Sequence, residues 1–168
     1  FSNSFSYKNF NLNFLIDGKF GGQVFSGTNT TVYGNGLHKN TLEGRETGLT
    51  VSGIDAATDQ PFTTTVAPEN LQTYWGEIND IAEEFVEDSD YIKFRQLSLG
   101  YSLPEKLLDN VFLTNVNVSF IASNLFYISR SIDNIDPESA YNVGNSQGLE
   151  YFGVPTSRNY GMTINLKF

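Results

Sequence analysis

Cysteine is absent from the 168 residues, and histidine, methionine and tryptophan occur once each. The missing cysteine removes disulfides, thiolate metal sites and thiol catalysis together, and it leaves the redox compartment open. A hydrolytic triad would have to use His38, which sits in a Gly/Asn-rich stretch (YGNGLHKNTLEG), and no serine has a nucleophile-elbow context. The chemistry expected of this chain is therefore not that of an enzyme, and no cofactor is expected. No charged segment followed by an apolar core opens the sequence, so a signal peptide is missing or lies outside it. No run of 18 apolar residues occurs. That excludes a spanning helix but not a barrel, whose strands need only about 9–11 residues. Bases are scarce as well: 10 Lys and Arg stand against 19 acids, for a net charge of −9. The footprint of a nucleic-acid binder is missing.

The charge is unevenly placed. Residues 27–90 hold twelve carboxylates against Lys39 and Arg45, a net of −10, while the rest of the chain carries +1. A balanced scaffold thus holds one acidic insertion. Its densest run, EEFVEDSDY (83–91), suggests Ca²⁺ but lacks the spacing of an EF-hand loop. A solvated surface that sets a negative potential is the better account.

What the chain has in excess is aromatic residues, 14 Phe and 9 Tyr, arranged with a period of two. In FNLNFLIDGKFGGQVF (10–25), Phe10, Leu12, Phe14, Ile16 and Phe20 alternate with Asn11, Asn13, Asp17 and Lys19. In TNVNVSFIASNLF (114–126), Val116, Val118, Phe120 and Ala122 alternate with Asn115, Asn117, Ser119 and Ser123. DYIKFRQLSLGY (90–101) alternates through Leu97, Leu99 and Tyr101. Its first half reverses, placing Lys93 and Arg95 in the Leu97 register, as if that half projected beyond the apolar zone. Strands are expected near 1–7, 10–26, 89–101, 113–128 and 157–168. Gly18, Gly21 and Gly22 mark a bulge or close approach in the second; no helix follows to make them a phosphate loop.

Alternation alone fits either a soluble sandwich or a strand with lipid on one side and water on the other. The connections separate the two. About two residues around Lys8-Asn9 join the first pair of strands and about a dozen, with Pro104 placed to open a short helix, join the third and fourth. The stretches 27–88 and 129–156 are long. Short and long connections alternate in outer-membrane barrels, the short ones periplasmic and the long ones extracellular. The fold class expected is an all-β, antiparallel transmembrane barrel segment of about five strands. The closing strand NYGMTINLKF puts Tyr160, Met162, Ile164, Leu166 and Phe168 on one face up to the last position, a pattern suited to an assembly signal read by the outer-membrane insertion machinery. Tyr7, Tyr101 and Tyr160 suit an interfacial aromatic girdle. Tyr33, Tyr74, Trp75, Tyr127, Tyr141, Tyr151 and Phe152, on the long connections, are candidates for ligand or partner contact.

YIKFRQLSLGYSLPEKLL (91–108) resembles the strand and turn Y-[LIV]-[RK]-[LF]-[RK]-x-L-[ST]-L-G-Y-[ST]-L-P of the SusC/RagA family of TonB-dependent outer-membrane transporters. VNVSFIASNLFYIS (116–129), IDPES (135–139), VPTSRNYGMTINLKF with its P-x-x-R-x-Y, the early hairpin SYKNFNLNFLIDGKFGGQVFS (6–26) and QTYWGEI (72–78) resemble further family segments, in the same order. The resemblance implies a nutrient importer in the outer membrane of a Gram-negative bacterium. It also implies a SusD-like surface lipoprotein as partner, energy delivered by TonB through a plug, and an oligosaccharide or peptide as substrate. Such barrels have about 22 strands around a plug, so the chain looks like the last part of a barrel with the plug region missing. Two alternatives are a passive porin-like barrel, which an upstream plug would exclude, and a secreted all-β glycan-binding module, which would be soluble without detergent.

Overall fold

The computed structural model describes residues 1–109, 111–140 and 143–168. Among the described residues ten strands run in chain order: β1 (Ser2–Tyr7), β2 (Phe10–Lys19), β3 (Gln23–Ser26), β4 (Leu49–Ile54), β5 (Pro61–Val66), β6 (Val86–Asp88), β7 (Tyr91–Ser102), β8 (Asn115–Arg130), β9 (Leu149–Glu150) and β10 (Asn159–Lys167). Two helices, α1 (Gly27–Gly34) and α2 (Leu71–Asn79), accompany them. The chain divides into two compact units. One comprises Phe1–Gly22, Asp88–Glu138 and Val154–Phe168, the other Gln23–Glu87 and Ser139–Gly153.

The first unit is a five-stranded sheet of order β1-β2-β7-β8-β10, with every neighbouring pair antiparallel. Lys8 takes a positive φ of 52° at the first central position of the two-residue turn that joins β1 to β2. Pro104 precedes a 3-10 turn, Glu105–Leu107, on the way from β7 to β8. Because directly paired residues point to the same side of a sheet, the register converts the sequence alternation into rows. Tyr7, Phe10, Tyr101, Val118 and Ile164 form one row; Phe5, Leu12, Leu99, Phe120 and Met162 form the next; Asn3, Phe14, Leu97, Ala122 and Tyr160 form a third. Tyr160 therefore stands two rows from Tyr7 and Tyr101. The opposite face carries rows such as Ser6, Asn11, Gly100, Ser119 and Thr163. The apolar face lies in the open: Phe120 is 45% exposed, Ile164 53% and Met162 69%. Its rings stack along the face, Phe14 on Phe94 at 5.9 Å and Phe94 on Phe126 at 5.4 Å.

Two features of this sheet depart from the period-two expectation. Ile16 pairs with Phe94 but Leu15 pairs with Gln96, so β7 holds one extra residue, Arg95, against β2. This β-bulge resets the alternation. Ile92 and Phe94 return to the face of Leu97 and Leu99, and Lys93 and Arg95 lie on the other face rather than in the Leu97 register. The expected projection beyond the apolar zone is thereby corrected. The second strand, expected over 10–26, ends at Lys19. Gly21 (φ 77°) turns the chain, its N–H bonded to Asp90 Oδ1 at 2.7 Å. At Gly22 a Cβ would lie 2.7 Å from Ser89 Oγ and 2.8 Å from Lys19 Cε, so a larger residue would require those side chains to shift.

The second unit is built from the long connections. The stretch 27–88, expected as loop in an all-β chain, contains both helices. Ser26 caps α1 by accepting the Asn29 N–H at 3.0 Å. A β4–β5 hairpin stands between α1 and α2. β3 lies between β6 and β9 and runs parallel to β9, pairing Phe25 with Leu149 and Ser26 with Glu150. Val24, Leu71 and Phe85 are buried there.

Candidate functional site

The β7 bulge gives the polar face of the first unit its charged centre. Lys93 is 1% exposed, a position lysine tolerates only when paired and hydrogen-bonded. Its three donors are all used: Glu138 Oε2 at 2.6 Å, Thr156 Oγ1 at 2.8 Å and Tyr127 Oη at 3.2 Å. Arg95 presents its fork to two carboxylates. It donates to Glu138 Oε1 at 2.6 Å and Oε2 at 2.9 Å, and to Asp17 Oδ2 at 2.5 and 3.2 Å. Its Nη1 also reaches Asn124 Oδ1 at 3.2 Å. Asn124 holds φ 53°, a left-handed conformation that asparagine tolerates. Its amide also donates to the Ser157 carbonyl, tying β8 to the segment that leads into β10.

The carboxylates come from IDPES. Asp136 Oδ1 accepts from Tyr127 at 2.5 Å and from the Glu138 N–H at 3.0 Å, and its Oδ2 accepts both the N–H and the hydroxyl of Thr156 at 2.8 Å. Glu138 Oε1 accepts in addition from Tyr91 at 2.8 Å. Burial pushes the Glu138 carboxyl up, but hydrogen bonds from Arg95, Lys93 and Tyr91 outweigh it and bring the pKa from 4.5 to about 2. Burial likewise opposes ionisation of Asp136, and the bonds from Tyr127, Glu138 and Thr156 more than offset it, leaving the pKa below its ordinary value. Asp136 and Glu138 thus act as two hooks that clasp the β8–β10 connection onto the sheet, with Ile132 and Ile135 buried beside them. The stretches that carry the SusC/RagA resemblance (YIKFRQ, NLF, IDPES and P-x-x-R) converge here. Sequence reasoning missed the clasp; its available signal was a polarity break in β7 paired with two carboxylates in a later short motif.

The aromatic candidates fall elsewhere, apart from Tyr127, which is part of the clasp and lies edge-on to Tyr91 at 5.6 Å. In the second unit Tyr33 stacks on His38 at 4.4 Å and meets Trp75 and Phe85 edge-on, while Tyr74 packs edge-on against Trp75. His38 Nδ1 accepts the Asn40 N–H at 3.1 Å and so caps a 3-10 turn. Burial lowers its pKa against the raising effect of Glu87. Tyr141 lies outside the described residues.

Tyr151 and Phe152 present their rings outward, 70% and 55% exposed and at right angles 5.0 Å apart. Phe152 adopts φ 51°, which is strained for a bulky residue. Buried Glu150 braces the turn, accepting from Ser26, Thr28 and the Gly153 N–H, and Thr28 Oγ1 accepts the Phe152 N–H at 2.8 Å. Thr28→Val is expected to weaken this brace by about 1–2 kcal/mol. Hydrogen exchange at Phe152 and Gly153 should then quicken roughly tenfold, and unchanged exchange would show that the turn holds itself. Two carboxylates of the acidic run have structural partners, Glu87 accepting from Asn29 at 2.6 Å and Asp90 from the Gly21 N–H at 2.7 Å. Among the described residues no cluster of three or more metal-ligating side chains occurs.

No family model matches the chain. TonB-dependent receptor P3 of Formosa agariphila is 28% identical over 174 residues, covering 100% of this chain and 16% of that protein. The RagAB peptide transporter superposes with a TM-score of 0.58 at 20% identity, covering 97% of this chain and 16% of that one. The RagAB peptide importer in its open-open state gives 0.60 at 20%, with the same coverages, and in its closed-closed state 0.56 at 19%, covering 99% and 17%. The chain therefore spans about a sixth of the length of the curated relative that it matches. Over its whole length the chain is similar in sequence to a part of a TonB-dependent receptor and in fold to a part of RagAB, which supports its resemblance to a SusC/RagA-like segment.

Proposed function

We propose that the chain supplies barrel wall, surface loops and closing strand to a TonB-dependent importer in a Gram-negative outer membrane. The importer takes up oligosaccharide or peptide together with a SusD-like surface lipoprotein and is driven by TonB through a plug encoded elsewhere in the protein. The observation that carries this reading is the continuous, exposed apolar face of the five-stranded sheet, backed by a polar face of Ser, Asn and Gly. Such a sheet needs hydrocarbon on one side and water on the other. In this reading the Lys8-Asn9 turn and the β7–β8 turn face the periplasm. The connections 27–88 and 129–156 then lie outside the cell, where Tyr151 and Phe152 are the ring pair placed to meet ligand or lipoprotein. Tyr33, Tyr74, Trp75 and Tyr127 support the loops that carry such contacts. Tyr160, Met162, Ile164, Leu166 and Phe168 form the assembly signal; Phe168, 74% exposed, stacks on Phe112 at 5.6 Å.

Uptake of labelled oligopeptides and oligosaccharides by cells of the producing bacterium tests the reading. Deleting the gene and deleting TonB should abolish uptake of the same substrate, and the tagged transporter should bring down a surface lipoprotein. In the same cells Phe168→Ser should lower the amount of heat-modifiable barrel in the outer membrane severalfold. Uptake that survives loss of TonB, or a tagged protein recovered from the soluble fraction, would overturn it.

A further inference from the structure

A cavity of about 580 Å³ opens in the first unit beside the last part of β8, walled by residues 133–136 and by Pro155, Thr156 and Arg158. That volume lies in the range of ligand sites. Two independent features of its wall point to one kind of occupant. The first is a strand edge. β10 pairs with β8 only as far as Asn159 with Ser123, whereas β7 follows β8 on to Arg130. From Asn124 to Arg130, therefore, one edge of β8 has no strand beside it among the described residues, and residues of that stretch line the cavity. Unpaired strand edges offer alternating N–H and C=O groups, which an extended polypeptide matches and a sugar chain does not.

The second feature is charge with spare valence. Lys93 and Asp136, which also line the cavity, are engaged in the clasp. Arg158 makes no hydrogen bond or ion pair among the described residues. Arg130 donates only to the Asp133 carbonyl at 2.7 Å and lies over the Tyr127 ring at 5.8 Å. Both guanidiniums are exposed and line the same cavity, where the Asp133 and Asp136 carboxylates are the opposing charges among the described residues. Guanidinium forks match a carboxylate in shape and charge.

We infer that this cavity is a subsite for an extended peptide, which adds as a strand to the Asn124–Arg130 edge and sets its free C-terminal carboxylate against Arg130 and Arg158. This rests on the importer reading above and chooses between its two substrate classes. The backbone edge supplies sequence-tolerant affinity, and the arginines fix the end of the chain. Oligosaccharides satisfy neither requirement.

The test uses the intact transporter purified in detergent and isothermal titration with four probes: penta-alanine as free acid, its C-terminal amide, penta-alanine N-methylated at alternate residues, and maltopentaose. The free acid should bind at least tenfold more tightly than the amide, and the N-methylated peptide and maltopentaose should not compete with it. Arg130→Gln and Arg158→Gln should each shrink the acid-over-amide preference, and the double variant should erase it while still binding the amide. Equal binding of acid and amide, a preference that survives in the double variant, competition by maltopentaose, or no binding of penta-alanine would overturn the inference. TonB-dependent uptake measured on the same variants separates this failure from the larger one. If wild-type cells import and the subsite variants match them on every probe, the subsite alone is wrong; if nothing is imported through TonB, the importer reading falls with it.

Discussion

Met162→Lys is expected to destabilise the membrane-inserted barrel by about 2–4 kcal/mol, while Thr163→Lys one residue away costs less than about 1 kcal/mol. The two positions adjoin in β10 and point to opposite faces. Met162 lies mid-strand in the row with Phe5, Leu12, Leu99 and Phe120, which in the proposed barrel is the depth where a lysine on the hydrocarbon side costs most; Thr163 shares the polar face with Ser119 and Gly100. In water the expectation inverts. Met162 is 69% exposed, and replacing an exposed apolar side chain by lysine in a soluble sheet costs almost nothing and improves solubility. The pair of substitutions therefore reads the solvent on each side of the sheet. Denaturant titration of the intact barrel in phospholipid vesicles, followed by tryptophan fluorescence, gives both values. Equal costs, or a larger cost at Thr163, would place the apolar face in water and end the barrel reading.

The strands and their faces were legible because a half-buried strand repeats every two residues and little else in the chain does. Phe10 to Ile16 and Val116 to Ala122 keep strict alternation, and Lys8-Asn9 interrupts it at a hairpin's length. The β7 bulge was not legible, since one inserted residue produces the same pattern as a strand that changes polarity, and only the pairing of Leu15 with Gln96 beside Ile16 with Phe94 distinguishes them. The end of β2 was hidden similarly: Phe20 and Phe25 carry the aromatic pattern past Gly21, where the chain turns. Helix α1, GTNTTVYG, is rich in glycine and β-branched residues of low helix propensity. Its stability comes from the Ser26 cap and from packing rather than from a signal in the eight residues themselves. The clasp joins residues more than forty positions apart. In sequence, Lys93, Arg95 and Glu138 are three separate charges, and only the bulge that turns the first two to the polar face allows the third to meet them.

Breaking the clasp is the second large effect expected. Glu138→Gln leaves the Lys93 ammonium, whose side chain is 2% exposed, without its carboxylate, and takes one of two carboxylates from Arg95. Removing one partner of a buried ion pair costs about 3–5 kcal/mol because the other charge stays buried. Arg95 keeps Asp17 and is partly exposed, so the lower end, about 3 kcal/mol, applies. Hydrogen exchange of residues 131–140 in the intact barrel should quicken roughly hundredfold, with the barrel itself still folded. The double variant Lys93→Met with Glu138→Gln should recover much of the loss, since no charge is then stranded.

Protonation should reproduce the single variant. The Glu138 pKa falls from 4.5 to about 2 in the fold, and that of Asp136 also lies below its ordinary value. Their contribution is complete above the ordinary carboxylate range and is lost as the pH falls through 4.5 toward about 2. Protection of 131–140 should therefore hold from pH 7 to 5 and fade below, and in Glu138→Gln it should be low throughout, with a smaller acid step left to Asp136. If that variant exchanges like the wild type, or if the double variant is worse than the single, the β8–β10 connection is held by Ile132 and Ile135 and the charges are incidental. Were that so, the cavity walled by 133–136 would keep its shape in acid, which the pH series reads directly.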